Sequence, residues 1–342
     1  MRGVRSSLWP KITLGLGLAL VLLAGVGLVA TKVLTNRYES SLTRQVLLAP
    51  SARGMSPQAQ NTAWRDGGGP LNFLLIGSDL RADDPDEGQR SDTIIIVQIN
   101  AERTGAHLVS IPRDLLVDIP EFPPTDFYGS REKINAAFHF GGGSAGGVQL
   151  LSATLAQLAD IKFEGAAVID FGGFERIIDL LGGVRLCVDA EVTSIHTDRH
   201  FPLGCQVFSG AEALDYSRQR YGLDNGDYDR QRHNQQLLKA IFNTALDGGI
   251  ANNPIKIDQF IRALGASLTL DTGGATLTDV LLALRSLRPD GLVGVTVPSY
   301  PEMIGAESFV LLNEEAPQLF DALHRATLDQ WALVNPQWVH AL

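Results

Sequence analysis

Nineteen consecutive residues, Ile12 to Ala30, carry no charge and are almost wholly apolar. A helix rising ~1.5 Å per residue spans roughly 29 Å over that run, close to the ~30 Å hydrocarbon core of a bilayer. The run exceeds the roughly 7–15 apolar residues of a secretory leader and has no clean small-residue cleavage site, so an uncleaved anchor over 12–31 is preferred to a cleaved peptide. Arg2, Arg5 and Lys11 precede it, and Lys32 and Arg37 follow. The short basic tail, 1–11, favours a cytoplasmic N-terminus with everything beyond the anchor exported. No second run of this length occurs, which predicts a single-pass membrane protein with an extracellular C-terminal domain.

The stretch 32–69 is polar and irregular and ends in Asp66-Gly67-Gly68-Gly69-Pro70, which reads as a juxtamembrane spacer. Leu71–Gly77 is then a short continuous apolar run, as a fully buried strand would be. Thr93–Asn100 and Ala106–Ile111 predict two more strands joined by a turn at Thr104-Gly105, and further strands are expected at Ala166–Asp170 and Val184–Val188. Helical spacing marks Val148–Leu158, Phe174–Leu181 (stopped by Gly182-Gly183), Ala211–Arg220 and Tyr228–Asp247. It continues at Ile255–Leu268, Leu277–Leu287 and Ala316–Leu328, and a strand at Leu292–Val297 is expected to pair with Phe309–Leu312. Strands alternating with helices predict one α/β domain over 70–335, with helices on both faces of a central mixed sheet, an α/β/α layering preceded by one transmembrane helix.

Composition narrows the function. Apolar residues at 45% and charged residues at 19% exclude wholesale disorder. A formal charge of 28 − 38 = −10 argues against a nucleic-acid partner, since phosphate backbones demand a positive field. Yet 22 of the 28 basic residues are Arg, the side chain for bidentate phosphate recognition; a biased base composition would give the same skew. Cys187 and Cys205 cannot form a four-cysteine zinc site. Export permits a disulfide between them, closing a loop of about eighteen residues and contributing roughly 3 kcal/mol in the chain-entropy account, with two buried thiols as the alternative.

Charged residues recur at predicted strand ends. Asp79 and Arg81 follow the first strand in Gly77-Ser78-Asp79-Leu80-Arg81, Arg90 and Asp92 precede the second, and Arg113-Asp114 follow the third. Ligand sites of α/β sheets gather at such ends, so these groups are candidates for one locus, although polar loop residues would look the same singly. A second cluster runs from Arg218 and Arg220 through Asp227 and Arg230 to Arg232, His233 and Asn234. On the helix from Tyr228, positions 230, 234, 237, 238 and 241 form one stripe made apolar by Leu237, Leu238 and Ile241, so Arg230 and Asn234 are expected to point inward. A buried guanidinium needs an anion, either a ligand or a neighbouring carboxylate. Arg232, Gln236, Lys239 and Asn243 fall on the other face, where Arg232 reads as surface charge. The glycine run Gly141-Gly142-Gly143 with Gly146-Gly147 lacks a P-loop Lys and reads as a mobile loop. Seven dispersed histidines speak against a His-built metal site or a Ser–His triad, with His233 the exception for its place beside the arginines.

Over about 70–250 the chain resembles the LytR–CpsA–Psr (LCP) family. The matching motifs are Gly77-Ser78-Asp79-Leu80-Arg81, Arg90-Ser91-Asp92-Thr93, Ser110-Ile111-Pro112-Arg113-Asp114, Lys133-Ile134-Asn135-Ala136, Gly182-Gly183-Val184 and Arg218-x-Arg220 with Asp227-x-x-Arg230. The resemblance implies a membrane-anchored enzyme that moves glycopolymers from a polyprenyl-pyrophosphate carrier to a peptidoglycan acceptor. It implies a pyrophosphate held by arginines and Mg²⁺ (or Mn²⁺), with the lipid tail in an apolar cavity between sheet and helices. Carried over by position, Asp79 and Asp92 are the metal-side carboxylates. Arg90, Arg113, Arg218, Arg220 and Arg230 are the catalytic, phosphate-contacting basic residues, with Asp227 just before the last of them. Arg81, Lys133 and Asn234 complete the pyrophosphate-binding set. The family often has Arg-Gln where this chain has His233-Asn234, so the outer contacts differ here.

The residue types suit the chemistry, because splitting a sugar–diphosphate link needs stabilisation of developing negative charge rather than a protein nucleophile. Asp227 or a metal-bound water is a candidate acceptor for the hydroxyl proton. Two other functions fit the same residues: a polyprenyl-pyrophosphate hydrolase, and a non-catalytic sensor of the lipid carrier that regulates the envelope.

Overall fold

A computed structural model describes residues 43–54, 69–78, 91–248 and 268–342. The anchor at 12–31 therefore lies outside the described residues, as do Asp79, Arg81, Arg90 and nearly all of the expected helix at 255–268. Among the described residues no helix is long and apolar enough to cross a membrane.

The central sheet is built from β1 (Thr43–Arg44), β2 (Leu71–Ser78), β3 (Ser91–Ile99), β4 (Ala106–Ile111), β7 (Gly165–Asp170), β12 (Leu268–Asp271), β13 (Leu292–Thr296) and β16 (Val339–Ala341). They lie in the order β1-β12-β7-β2-β3-β4-β13-β16. Pairing is mixed, with β2 parallel to β7 and antiparallel to β3, and β4 parallel to β13. Two-stranded pairs stand apart from it: β5 (Leu116–Ile119) with β6 (Ser130–Lys133), β8 (Val184–Val188) with β11 (Gly204–Phe208), β9 (Val192–Thr193) with β10 (His200–Phe201), and β14 (Ser299–Ile304) with β15 (Glu307–Leu312). The helices used below are α1 (Ala136–Phe140), α2 (Ser144–Ala159), α3 (Phe171–Leu180), α4 (Gly210–Arg218), α5 (Asp227–Asp247), α6 (Leu277–Leu284), α7 (Ala316–Arg325) and α8 (Leu328–Val334).

Side chains alternate across a strand, and both sets are apolar here because both faces are covered. Leu74, Ile76, Ile94, Ile96, Val109 and Ile111 pack against α1, α2, α7 and α8 through residues such as Phe138, Leu151, Leu155, Leu319 and Leu323. The interleaved Phe73 and Val97 meet Phe242 of α5 and Val280 and Ala283 of α6 on the other face. A separate cluster joins the β8–β11 pair to α4 and α5 around Phe201, Phe208, Tyr216 and Leu237. Cys187 and Cys205 face each other in that pair and form a disulfide.

Several expectations change. Residues 43–54 belong to the domain rather than the spacer: β1 pairs with β12, and Leu47, Leu48 and Ala52 are buried against the α2 side of the sheet. The Asp271 carboxylate accepts from Leu47 N and Leu48 N and pairs with Arg53, a tie between distant segments invisible to local patterning. The 292–296 strand pairs with β4 and β16, while Glu307–Leu312 folds back on Ser299–Ile304. β16 also carries the domain past residue 335. The expected 316–328 helix breaks at Ala326, whose φ of 55° is left-handed, into α7 and α8. Leu268 opens β12 rather than ending a helix. The glycine run is a tight helix junction, not a mobile loop: a Cβ on Gly141 would stand 2.4 Å from Gly146 O, and one on Gly147 would stand 2.4 Å from Phe138 O.

Candidate functional site

The strand ends predicted to converge do so. Ser78 closes β2 opposite Ser91 at the start of β3, Ile94 pairs with Ile111 at the end of β4, and Ser78 also pairs with Asp170 at the end of β7. Asp92, Arg113 and Phe171 thus emerge at one edge. Two helix elements bring the rest. The Ser209–Glu212 capping box starts α4, which carries Arg218 at its last turn, and Gly226, at φ 53°, opens α5 with Asp227 in its first turn.

A polar pocket of about 130 Å³ is lined by Asp92, Thr93, Arg113, Phe171, His196, Ser217, Arg218, Arg220 and Arg230, four arginines against one carboxylate. Arg113 is ion-paired to Asp92 and lies 3.7 Å from Asp114. Burial works against its charge, but Asp92, Asp114 and Asp227 outweigh that and raise its pKa, so it stays a cation. Arg230 points inward as expected and is 4% exposed. Its Nε and Nη2 donate to Asp227 Oδ1 at 2.8 and 2.6 Å, and its Nη1 donates to Asp92 O at 2.9 Å. The neighbouring carboxylate considered as its partner is therefore Asp227, while the guanidinium still lines the pocket. Gln231 Nε2 donates to Asp227 Oδ2 at 3.0 Å. Burial alone would raise the Asp227 pKa, yet Arg230, Gln231 and Arg113 hold it below the ordinary carboxylate range. That makes Asp227 a brace for Arg230 and a weak proton acceptor.

Arg218 and Arg220 are different. Their guanidiniums stack on Phe171 at 5.0 Å and Tyr221 at 4.8 Å, and no carboxylate pairs with either among the described residues. Two cations held by aromatic faces, in a pocket already in positive excess, are an anion site. Lys133 stands on the flank, 4.0 Å from Asp114 and over the Phe309 ring, outside the pocket lining. Asn234 Nδ2 donates to Thr93 Oγ1 at 3.2 Å.

Directly inside lies an apolar cavity of about 220 Å³ between β2, β3 and β7 on one side and α3, α4 and α5 on the other. Leu75, Ile95, Ile169, Phe174, Leu214 and Leu238 are among its walls. Thr93, Phe171 and Ser217 line both spaces, so the greasy cavity opens on the arginine pocket.

A LytR_cpsA_psr family model matches residues 39–325. The chain belongs to this family. Among its relatives, the probable cell wall biosynthesis protein LcpB of Corynebacterium glutamicum is 32% identical over 80% of this chain and 62% of its own length. The polyisoprenyl-teichoic acid–peptidoglycan teichoic acid transferase TagU of Enterococcus faecalis is 29% identical over 64% of this chain and 66% of its own length. The chain thus spans just under two thirds of the length of these curated relatives. The solved structure of gbs0355 from Streptococcus agalactiae superimposes with TM-score 0.65 at 20% identity, over 78% of this chain and 90% of that one. TagT bound to LIIa-WTA superimposes with TM-score 0.61 at 22% identity, over 81% of this chain and 95% of TagT. These structural likenesses carry the LCP fold.

Two readings of the LCP chain's charged helix need correction. Arg232 is not on a solvated face: its side chain is 22% exposed and ion-paired to Asp189 and Asp229. Asp229, Gln231, His233 and Gln235 of α5 are buried, and the side expected to be wet is met by Asp189, just after β8, at Arg232 and by the Leu342 carbonyl, which accepts from Lys239 Nζ. His233, at the position often held by Arg in the family, is stacked on Tyr216 at 4.5 Å. Burial, helped by Arg232, lowers its pKa to about 4, so it is neutral and packs. Two pocket residues, Phe171 and His196, were not singled out from the sequence, although Phe171 directly follows the expected 166–170 strand. His196 arrives from the β9–β10 connection, remote in sequence from every motif, and no local signal marks it.

Proposed function

We propose that this LCP chain transfers a glycopolymer, as its phosphate, from a polyprenyl-pyrophosphate carrier to a peptidoglycan hydroxyl. The observation that carries this reading is the continuity of an apolar cavity with a pocket of four arginines, shaped for an amphiphile with a diphosphate at its head. The names of relatives point the same way: LcpB to cell wall biosynthesis, TagU to teichoic acid transfer onto peptidoglycan.

In this scheme the polyprenyl tail occupies the cavity and the diphosphate lies against Arg113, Arg218, Arg220 and Arg230. The sugar hydroxyl attacks the glycan-side phosphorus, and polyprenyl phosphate departs. Guanidinium forks stabilise the negative charge spreading over the phosphoryl oxygens, held in place by Asp227, Asp92 and Phe171 before substrate arrives. Arg90 belongs with these arginines in the catalytic set, and Arg81, Lys133 and Asn234 are assigned to the outer grip on the diphosphate. Asp92 suits a hard divalent ion: it is the sole carboxylate lining the pocket among the described residues, and Mg²⁺ is commonly held by one or two carboxylates plus substrate phosphates. Bound by Asp92 and Asp79, Mg²⁺ or Mn²⁺ would add charge neutralisation at the diphosphate. The 12–31 segment would anchor the domain at the outer membrane surface, beside its lipid substrate.

Purified domain incubated with lipid-pyrophosphate glycan, with and without peptidoglycan, tests the reading. Peptidoglycan-linked glycan phosphate and polyprenyl phosphate are the expected products. Release of free glycan phosphate regardless of acceptor would make the protein a hydrolase, and binding without turnover would make it a sensor.

A further inference from the structure

The transfer reaction leaves one proton unassigned. Asp227 is poorly suited to take it, because both its oxygens are bonded by Arg230 and Gln231. Of the residues lining the arginine pocket, His196 is the one that is exposed, and it is the one whose side-chain type ordinarily exchanges its proton near neutral pH.

Its position has a direction. Thr93, Phe171 and Ser217 border both the cavity and the pocket, whereas His196 borders the pocket alone. In-line phosphoryl transfer sets the attacking and leaving oxygens on opposite sides of phosphorus. With the tail in the cavity, the leaving polyprenyl phosphate lies toward Thr93, Phe171 and Ser217. The attacking hydroxyl then comes from the solvent side, where His196 stands.

The loop bearing His196 is fastened to the arginine-bearing helix. Ser194 Oγ accepts from His196 N at 3.0 Å and Thr197 N at 3.1 Å, and donates to Asp215 Oδ1 at 2.6 Å. Gln219 Nε2 donates to Ser194 Oγ at 2.9 Å and Asp215 Oδ1 at 2.8 Å, and Thr197 Oγ1 donates to Asp215 Oδ2. Ser194, Asp215 and Gln219 are 1%, 5% and 0% exposed, and Arg218 lies between the last two in sequence. One buried network therefore fastens the loop that carries His196 against the helix end that carries Arg218. Among the described residues, the charged groups that line the pocket with His196 are Asp92 and Arg113 from the sheet, Arg218 and Arg220 from the end of α4 and the loop after it, and Arg230 from α5. Asp215 lies beneath the loop, and within it Asp198 is followed by Arg199, which pairs with Glu212.

We propose that His196 is the general base of the transfer, an inference that rests on the transferase reading. An imidazole nitrogen takes the proton from the acceptor hydroxyl as that oxygen bonds to the glycan-side phosphorus. The bond from this phosphorus to the bridging oxygen breaks, its electron pair leaving with polyprenyl phosphate, and the imidazolium returns its proton to water. Single-turnover transfer from lipid-pyrophosphate glycan to peptidoglycan, followed from about pH 5 to about pH 9, tests the role. His196→Gln should lower kcat by about 10²- to 10⁴-fold, leave KM for the lipid within about 2-fold, and abolish the acidic limb of the profile. Added imidazole should restore part of the rate to His196→Ala. His200→Gln, on the same strand pair but pairing outward with Glu191, should behave as wild type. Wild-type transfer with an unchanged rate and acidic limb in His196→Gln overturns the base role alone. Loss of rate in His196→Ala without imidazole rescue also overturns it, whereas absence of transfer by the wild type overturns the transferase reading and this role together.

Discussion

The two faces of the central sheet are built from the same alternating apolar strands but finished differently. On the α2 face, Leu74, Ile76, Ile94 and Ile96 are at most 1% exposed and meet a continuous layer of helices. On the other face Leu75, Ile95, Ala167 and Ile169 border a cavity of about 220 Å³ that opens on four arginines. Packing on the first face supplies stability, and the packing withheld on the second leaves room for a ligand. A void without partner atoms loses dispersion contacts, so this one is tolerated because its neighbour carries the fold.

The largest effect should come from the packed face. Phe138→Ala removes a fully buried ring seated against Gly147 and should destabilise the domain by about 3–5 kcal/mol, read as a lower Tm, with kcat/KM unchanged while folded. An activity loss without a Tm loss would dissolve the division between the faces.

The next effect belongs to the pocket. Arg218→Ala removes a charge-assisted contact of about 1.5–3 kcal/mol, roughly 10- to 150-fold in kcat/KM, and should leave Tm nearly unchanged because no carboxylate among the described residues pairs with it. Arg218→Lys should recover little, since a point charge cannot replace the stacked planar fork. Arg230→Ala should lose activity and Tm together, because Asp227 is left without its partner. A Tm loss with intact activity in Arg218→Ala would mean the arginines serve structure.

A pH experiment sharpens the contrast between the two ends of the sheet. At the pocket end, arginines hold Asp227 ionised, whereas at the start of β7 burial raises the Glu164 pKa to about 7 against weaker opposition from Asn72 N and Arg103. A folded-state pKa above the unfolded one means the neutral carboxyl contributes stability that is full below the unfolded pKa near 4.5 and is lost as pH rises through about 7. Glu164→Gln should therefore gain stability relative to wild type as pH rises through that window. His233 acts oppositely, its stabilising neutral form being lost as pH falls from 6.5 through about 4, so the Glu164→Gln difference curve is the clean measurement. A flat difference curve would show that Glu164 is ionised in the folded state.

The smallest thermal effect should come from filling the void. Leu238→Phe adds bulk to a cavity wall and should change stability by less than about 1.5 kcal/mol while weakening the binding of added polyprenyl phosphate. A large Tm loss would show that the cavity is closed packing rather than spare volume.

Much of this was readable from order and period alone. Continuous apolar runs marked β2, β3, β4 and β7, and the stripe at 230, 234, 237 and 238 placed Arg230 inward, because strand and helix periods are local properties. The strand-end residues Asp92 and Arg113 were legible as one locus for the same reason, since topology brings those ends together whenever adjacent strands pair. Other features depend on partners far away in sequence. The tie of Leu47 and Leu48 to Asp271 and the pairing of β13 with β16 have no local signal. Arg232 reads as solvated on a helical wheel, but the wheel cannot know that Asp189, just past the end of β8, comes to meet it. His196 reaches the pocket only because the buried Ser194–Asp215–Gln219 network holds its loop against α4. Hydrophobic period, caps and strand ends are written within a few residues, so the sequence by itself determined the elements, the family and the central arginines. Which surfaces become buried, which carboxylate meets which guanidinium, and where a cavity remains are set by contacts between distant segments, and the tertiary structure alone decided them.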